Sequence, residues 1–217
     1  MSEQLNKGHF EGAIHLRQIR ITDYDDLVNL QGKCFPGMKP WVKEQIQSQL
    51  EIFPEGQQCI EFQAAVIGSS SSLVIDFDSY GEKHNWRDIA DAGFIRNHNP
   101  DGETLYGIEI MVDPEYQGRG LARRLYDARK QLAIERNLKQ IILGGRIPGY
   151  AEHSATLSAE EYIAKVIQKD IFDPVLTVQF SNGFSLKRLL PAYMTSDKES
   201  QGYATLLEWH NPHFRPK

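Results

Sequence analysis

No apolar run in this chain of 217 residues approaches the ~20 residues that a membrane-spanning helix needs. Basic residues are in deficit: Lys and Arg number 24 against 29 Asp and Glu, a formal net charge of −5. A domain built to grip nucleic acid usually shows the opposite excess, so nucleic acid and membrane are both set aside as partners. An acidic balance is compatible with small cationic substrates. Cysteine is scarce. Cys34 and Cys59 form no CxxC pair and no disulfide framework, and a reducing cytoplasm fits. The opening MSEQLNKGHFEG lacks the apolar core of a signal peptide. Repeats and low-complexity stretches are absent. What remains is ordinary globular composition, 41% hydrophobic and 24% charged, and no linker interrupts it.

The pattern predicts a flexible tail over residues 1–14 and a single domain over 15–217, with insertions near 76–103 and 146–175. His15 to Ile21 alternates as a strand does. Thr22 before Asp23, Tyr24 and Asp25 reads as a capping-box start, opening a helix that buries Leu27 and Leu30 and ends near Cys34. Trp41 to Ile52 is a second helix, bounded by Pro40 and Pro54. Cys59–Phe62 and Ala65–Ile75 are strands. The four serines Ser69 to Ser72 mark either a pleat opened toward a ligand or small residues packed under a helix. Thr104 to Val112 is a strand, Gly118 to Arg136 a helix with Leu121, Leu125, Ala128 and Leu132 at helical spacing, and Gln140 to Leu143 a strand ended by Gly144–Gly145. Ser158 and Glu161 cap a helix running to about Asp170. Ser185–Leu190 and Tyr203–His210 are terminal strands.

The informative segment is YGIEIMVDPEYQGRGLARRLYDARK, Tyr106 to Lys130. A strand ends at Val112, Asp113–Pro114 turns the chain, and Gln117-Gly118-Arg119-Gly120 opens into a long helix. The first helical turn has N–H groups with no intrahelical acceptor, and the helix dipole adds positive potential there. Such a junction is a natural pyrophosphate seat, and glycine lets a ligand approach the backbone. Neither GxxxxGK[ST] nor GxGxxG is present.

Gln117, Gly120 and Ala122 do fill the defined positions of [QR]-x-x-G-x-[GA], and VDPEY precedes them. This resembles the acetyl-CoA loop of the GNAT N-acetyltransferase superfamily. CFPGMKPW, SSSSLVIDFD, DGETLYGIEIMV, GGRIPGY and QFSNGF are similar, more narrowly, to the GNAT domain found ahead of carbon–nitrogen hydrolase (nitrilase-like) domains. The sequence reaches no such domain, and no hydrolase activity is expected. The resemblance implies an α/β fold with a mixed, mostly antiparallel central sheet between helices. It implies acetyl-CoA as cosubstrate, no metal, a small-molecule or peptide amine as acceptor, direct transfer in a ternary complex, and a plausible homodimer. A non-catalytic acyl-CoA-binding module and transfer of a longer acyl chain are the rival outcomes.

For site residues, the resemblance implies that Ile110, Met111 and Val112 pair with the pantetheine arm. The amides of Gly118, Arg119, Gly120, Leu121 and Ala122 would hold the pyrophosphate beside Gln117. Arg119, Arg123, Arg124 and Lys130 are within reach of a CoA phosphate, or are simply a solvated helix face. Glu109, a charge in an apolar strand, is the candidate base. The family places a tyrosine four residues before a Gly-Phe pair as proton donor. Here Gly183–Phe184 is the pair and that position holds Gln179. Tyr150, His153 and Tyr193 are candidates to replace it, and Tyr150 joins Glu109 as the expected catalytic pair. His84 and His98 with Asp76, Asp78 and Asp88 show no metal-ligand spacing. Cys34 is expected to be a small buried residue, and Trp41, Trp86 and Trp209 packing anchors.

Overall fold

The computed structural model describes residues 7–81 and 84–216, with side chains from Phe10 onward. In chain order these form α1 (Lys7–Ala13), β1 (Ile14–Gln18), α2 (Tyr24–Cys34), α3 (Lys43–Ile52), β2 (Gln57–Phe62), β3 (Ala65–Ile75) and α4 (Trp86–Ile89). Then come β4 (Thr104–Val112), α5 (Leu121–Glu135), β5 (Gln140–Arg146), α6 (Tyr150–His153), α7 (Ala159–Gln168), α8 (Leu176–Ser181), β6 (Ser185–Leu190) and β7 (Ala204–His210). The seven strands make one sheet, ordered β1-β2-β3-β4-β5-β7-β6. Only β4 and β5 run parallel; the other neighbours are antiparallel. The α/β class with a mixed, mostly antiparallel sheet is therefore observed. No described helix is long and apolar enough to cross a membrane.

Residues 1–6 of the expected tail lie outside the described residues. From Lys7 onward the chain is helical, and Phe10 is buried in a second core cluster with Ile60, Phe62, Ile67, Leu121 and Leu125. Apolar periodicity over seven residues is too short a signal to separate such a helix from a tail. Thr22 does not cap α2. Asp23 turns back instead, accepting from the Arg20 N–H at 2.7 Å and from both terminal nitrogens of Arg17 at 2.7 and 2.9 Å. Ser158 and Glu161 do form the reciprocal cap of α7, at 3.2 and 2.8 Å. Between the 146–175 insertion and the first of the two terminal strands the chain makes α8, which the sequence pattern does not announce, and Gly144–Gly145 do not end β5.

The central feature is the seam between β4 and β5. They pair only from Thr104↔Gln140 to Gly107↔Leu143. Beyond that, β4 follows β3 to Val112 and β5 follows β7 to Arg146. A gap opens between them, and α2 and α5 cover opposite faces of the sheet beside it. Ser70 points to α5, whereas Ser69 and Ser71 point the other way, as strand alternation requires. Phe10→Ala should cost about 3 kcal/mol of folding stability in urea unfolding followed by circular dichroism. A loss near zero would mean that α1 is not part of the core.

Candidate functional site

A cavity of about 790 Å³ opens at the β4–β5 gap, within the range of small-molecule sites. Gly107 and Gly144 line it, and Gly145 follows on β5. A Cβ on Gly107 would lie 2.6 Å from Nη1 of Arg129. One on Gly144 would lie 2.2 Å from the Tyr193 ring, and one on Gly145 2.3 Å from Oε1 of Gln179. Each glycine thus admits one polar side chain to the gap.

Ile108 is the extra residue of a β4 bulge, since Gly107 faces Ser72 and Glu109 faces Ser71. Arg129, buried on α5, pins that bulge. Its Nη2 donates to Ser70 Oγ at 2.7 Å, Ser71 O at 3.1 Å and Glu109 O at 2.7 Å. The Trp86 indole N–H donates to Ile108 O at 3.2 Å from the other side. The bulge puts Glu109 on the face opposite Arg129, where the Ser69 and Ser71 hydroxyls both donate to its Oε1 at 3.1 Å. Its Oε2 is sealed from solvent and has no hydrogen-bond partner among the described residues. Burial pushes the Glu109 carboxyl up to about 7, against the two serine hydrogen bonds and the Arg129 charge. Ser70 thus meets a helix, as one of the two readings had it, whereas Ser69 and Ser71 serve a carboxylate, which neither reading foresaw.

The end of β4 leads into the glycine loop. The Asp113 N–H donates to Ile67 O at 2.9 Å, so strand alternation turns the Val112 N–H toward the open edge. The Val112 carbonyl is occupied, accepting from Cys34 Sγ at 3.3 Å and Gln117 Nε2 at 3.4 Å. Burial raises the Cys34 thiol to about 11, which leaves it inert. Gly118 and Gly120 hold φ of +74° and +79°, the left-handed region that glycine enters without strain. No side chain caps α5, and Gln117 to Gly120 are exposed. Ile110, Met111, Val112, Gln117, Gly118, Arg119, Gly120, Leu121, Ala122 and Arg123 thus form one continuous strand-end, loop and first helical turn. Arg123 is exposed. Three other cations have protein partners: Arg119 stacks on Phe10 at 4.9 Å, Arg124 pairs with Glu11, and Lys130 donates to Asn182 O at 2.6 Å.

Tyr150 is not brought to Glu109. Its ring packs between Tyr162 and Tyr203, its hydroxyl donates to Leu157 O at 3.2 Å, and it does not line the cavity. His153 sits against Tyr162 outside it as well. Tyr193 does line the cavity. Its hydroxyl meets that of Tyr106 at 2.7 Å, and Tyr106 in turn meets Nε2 of His84 at 3.0 Å. Burial raises both phenols and lowers His84 to about 4, so this buried chain is neutral. Gln179 and Tyr126 line the cavity too, and Gln179 Oε1 has no partner among the described residues. His98 accepts from the Val74 N–H at 3.0 Å and stacks on Phe53. Among the described residues no three His, Cys, Asp or Glu groups gather as a metal site would require.

Sequence reasoning missed Arg129 and Tyr126. The signal for Arg129 was present, because it lies four residues after Leu125 and three before Leu132, a charge on the apolar stripe of α5. Between about pH 4.5 and 7 the native state keeps a Glu109 proton that the unfolded chain releases. Native stability therefore falls as pH rises through that window. In urea unfolding the wild type should lose stability relative to Glu109→Gln from about pH 4.5 to about pH 7. Parallel curves would show that the carboxyl is not held protonated by burial.

A model of the Acetyltransferase (GNAT) family matches residues 24–151. The uncharacterized N-acetyltransferase YkwB of Bacillus subtilis is 34% identical over 207 residues, covering 94% of this chain and 91% of YkwB. The probable hydrolase YhcX of the same organism is 50% identical over all 217 residues, but the chain spans only 42% of its length. Among solved structures, the loading GNATL domain of CurA from Lyngbya majuscula superposes with a TM-score of 0.80 at 23% identity, covering 92% of this chain and 98% of that one. The strand gap, the glycine loop and these matches agree: the chain belongs to the GNAT acetyltransferase family.

Proposed function

We propose that the protein transfers an acetyl group from acetyl-CoA to a primary amine, directly and within a ternary complex. One observation carries this. Where β5 has parted from β4, the free edge of β4 runs directly into the exposed, uncapped glycine loop at the start of α5, and Glu109 lines the cavity beside that edge. A pantetheine arm carries amides that can pair with such an edge, and a helix start of this kind suits its pyrophosphate.

Gly118 to Ala122 present amide groups and the positive end of α5 to the pyrophosphate. The open edge of β4 receives the pantetheine arm, and the Val112 N–H polarises the thioester carbonyl. A donor so placed is typically worth ~3 kcal/mol toward an oxyanion. Glu109, as carboxylate, accepts the proton of the incoming ammonium, whose ordinary pKa is near that of lysine. The C–N bond forms as the C–S bond breaks. The sulfur departs with its electron pair as thiolate, and the second proton, which the nitrogen sheds as it is acylated, passes to that sulfur directly or through solvent. A thiol pKa of ~8.5 makes that departure feasible without a tyrosine at Gln179. The cysteine and serines nearest Glu109 are not placed as nucleophiles: Cys34 is inert, and Ser69 and Ser71 serve Glu109. Direct transfer follows, and ping-pong kinetics would overturn it.

Acetyl-CoA at ~100 times its dissociation constant should stabilise the fold by ~2.7 kcal/mol, read as a rise in Tm. Gly120→Glu should abolish that rise without unfolding the protein. No rise with the wild type would remove the loop as a CoA site. With a reactive amine, kcat should increase with pH up to about 7, the Glu109 value, and Glu109→Gln should lower it ~10²–10⁴-fold. Binding without CoA release from any amine would identify an acyl-CoA-binding module instead.

A further inference from the structure

We propose that the acceptor is a monoamine carried on an aromatic or comparably bulky apolar body, and that polyamines and aminoglycosides are refused. This rests on the transfer assigned above and names its acceptor class. The cavity extends from the β4–β5 gap toward α2, α3 and α4. Its walls there are Phe35, Met38, Trp41, Trp86, Phe94 and Met194. These walls are built in place. Trp41 is buried, packs 5.7 Å from Trp86, and its backbone N–H donates to Gln31 Oε1 at 2.8 Å. Gly93 lies so close beneath it that a Cβ would stand 2.1 Å from its ring. The Trp86 indole and backbone N–H groups are fixed to Ile108 O and Tyr193 O at 3.2 and 3.0 Å. Rigid aromatic walls favour a flat apolar body, since little side-chain freedom is lost on binding.

The charges select against further ammonium groups. Among the described lining residues Glu109 is the only acid, whereas Lys39, Arg87, Arg129 and Arg146 are cations. One carboxylate serves one ammonium. A second ammonium would meet Lys39 and Arg87, both exposed at the mouth, or lie among the aromatic rings. The face of Phe35 is already taken by the Arg146 guanidinium at 5.0 Å, itself held by Asp197 and Glu199. The net acidity of the whole chain is thus a poor guide to this pocket, whose local balance is cationic. Selectivity by placing like charges against the wrong partner is a general device.

The test compares phenethylamine with spermidine and kanamycin. Each is titrated calorimetrically onto the protein with and without CoA, and initial rates of CoA release are measured with acetyl-CoA. Phenethylamine should bind at least tenfold more tightly than either polycation and show at least tenfold higher kcat/KM. Lys39→Glu combined with Arg87→Glu, both exposed positions, should raise kcat/KM for spermidine at least fivefold and leave KM for acetyl-CoA unchanged. Trp86→Ala, checked for folding by Tm, should raise KM for phenethylamine at least tenfold; if it unfolds, Trp86→Phe should give a smaller rise. Spermidine or kanamycin equal to or better than phenethylamine, in binding or in rate, would overturn the proposal, as would no binding of phenethylamine under either condition. Selective phenethylamine binding with no turnover would overturn the transfer but leave the amine class standing.

Discussion

The buried guanidinium of Arg129 is the contact on which the site depends. A parallel strand pair that stops after four residues leaves backbone groups and a void in the middle of a sheet. Left alone, such a seam would close or fill with water. Arg129 ties β3 and β4 together through three acceptors on one side of the gap, and Gly107 leaves space for it. Because the bulge at Ile108 reverses the strand's facing, the same contact sends Glu109 to the opposite face. Burying a guanidinium is costly unless its hydrogen bonds are made, and its Nη2 makes three.

The remaining polar groups follow from that geometry. Glu109 is partnered on one oxygen only, and burial holds its carboxyl near neutrality. A base is most effective when its pKa lies close to the working pH. Gly144 and Gly145 let Tyr193 and Gln179 into the gap from β5 without ending the strand. The acyl-CoA seat proposed for the glycine loop is separate, lying at the start of α5 where the backbone is exposed and uncapped.

Much of the fold was legible because its elements carry local signals. Thr104–Val112 matched residue for residue, the Ser158–Glu161 cap formed as read, and the glycine loop sits before a helix as its motif requires. Glu109 was legible as a lone charge in an apolar strand. What was not legible depends on partners distant in sequence. The burial of Phe10 needs β2 and α5 beside it. The roles of Gly144 and Gly145 need side chains that arrive about 35 to 50 residues later, so two glycines at a strand end read as a stop. Tyr150 was one of three candidates to replace the tyrosine missing at position 179, and tertiary packing instead commits its hydroxyl to Leu157. Arg129 was visible as a charge on an apolar stripe, but only the bulge explains why it is there.

Hydrogen–deuterium exchange with and without acetyl-CoA tests most directly that cosubstrate enters at the β4–β5 gap. Peptides covering residues 108–124 should gain protection on binding, in the β4 edge and the glycine loop together. Protection elsewhere, with residues 108–124 unchanged under saturating acetyl-CoA, would contradict the account.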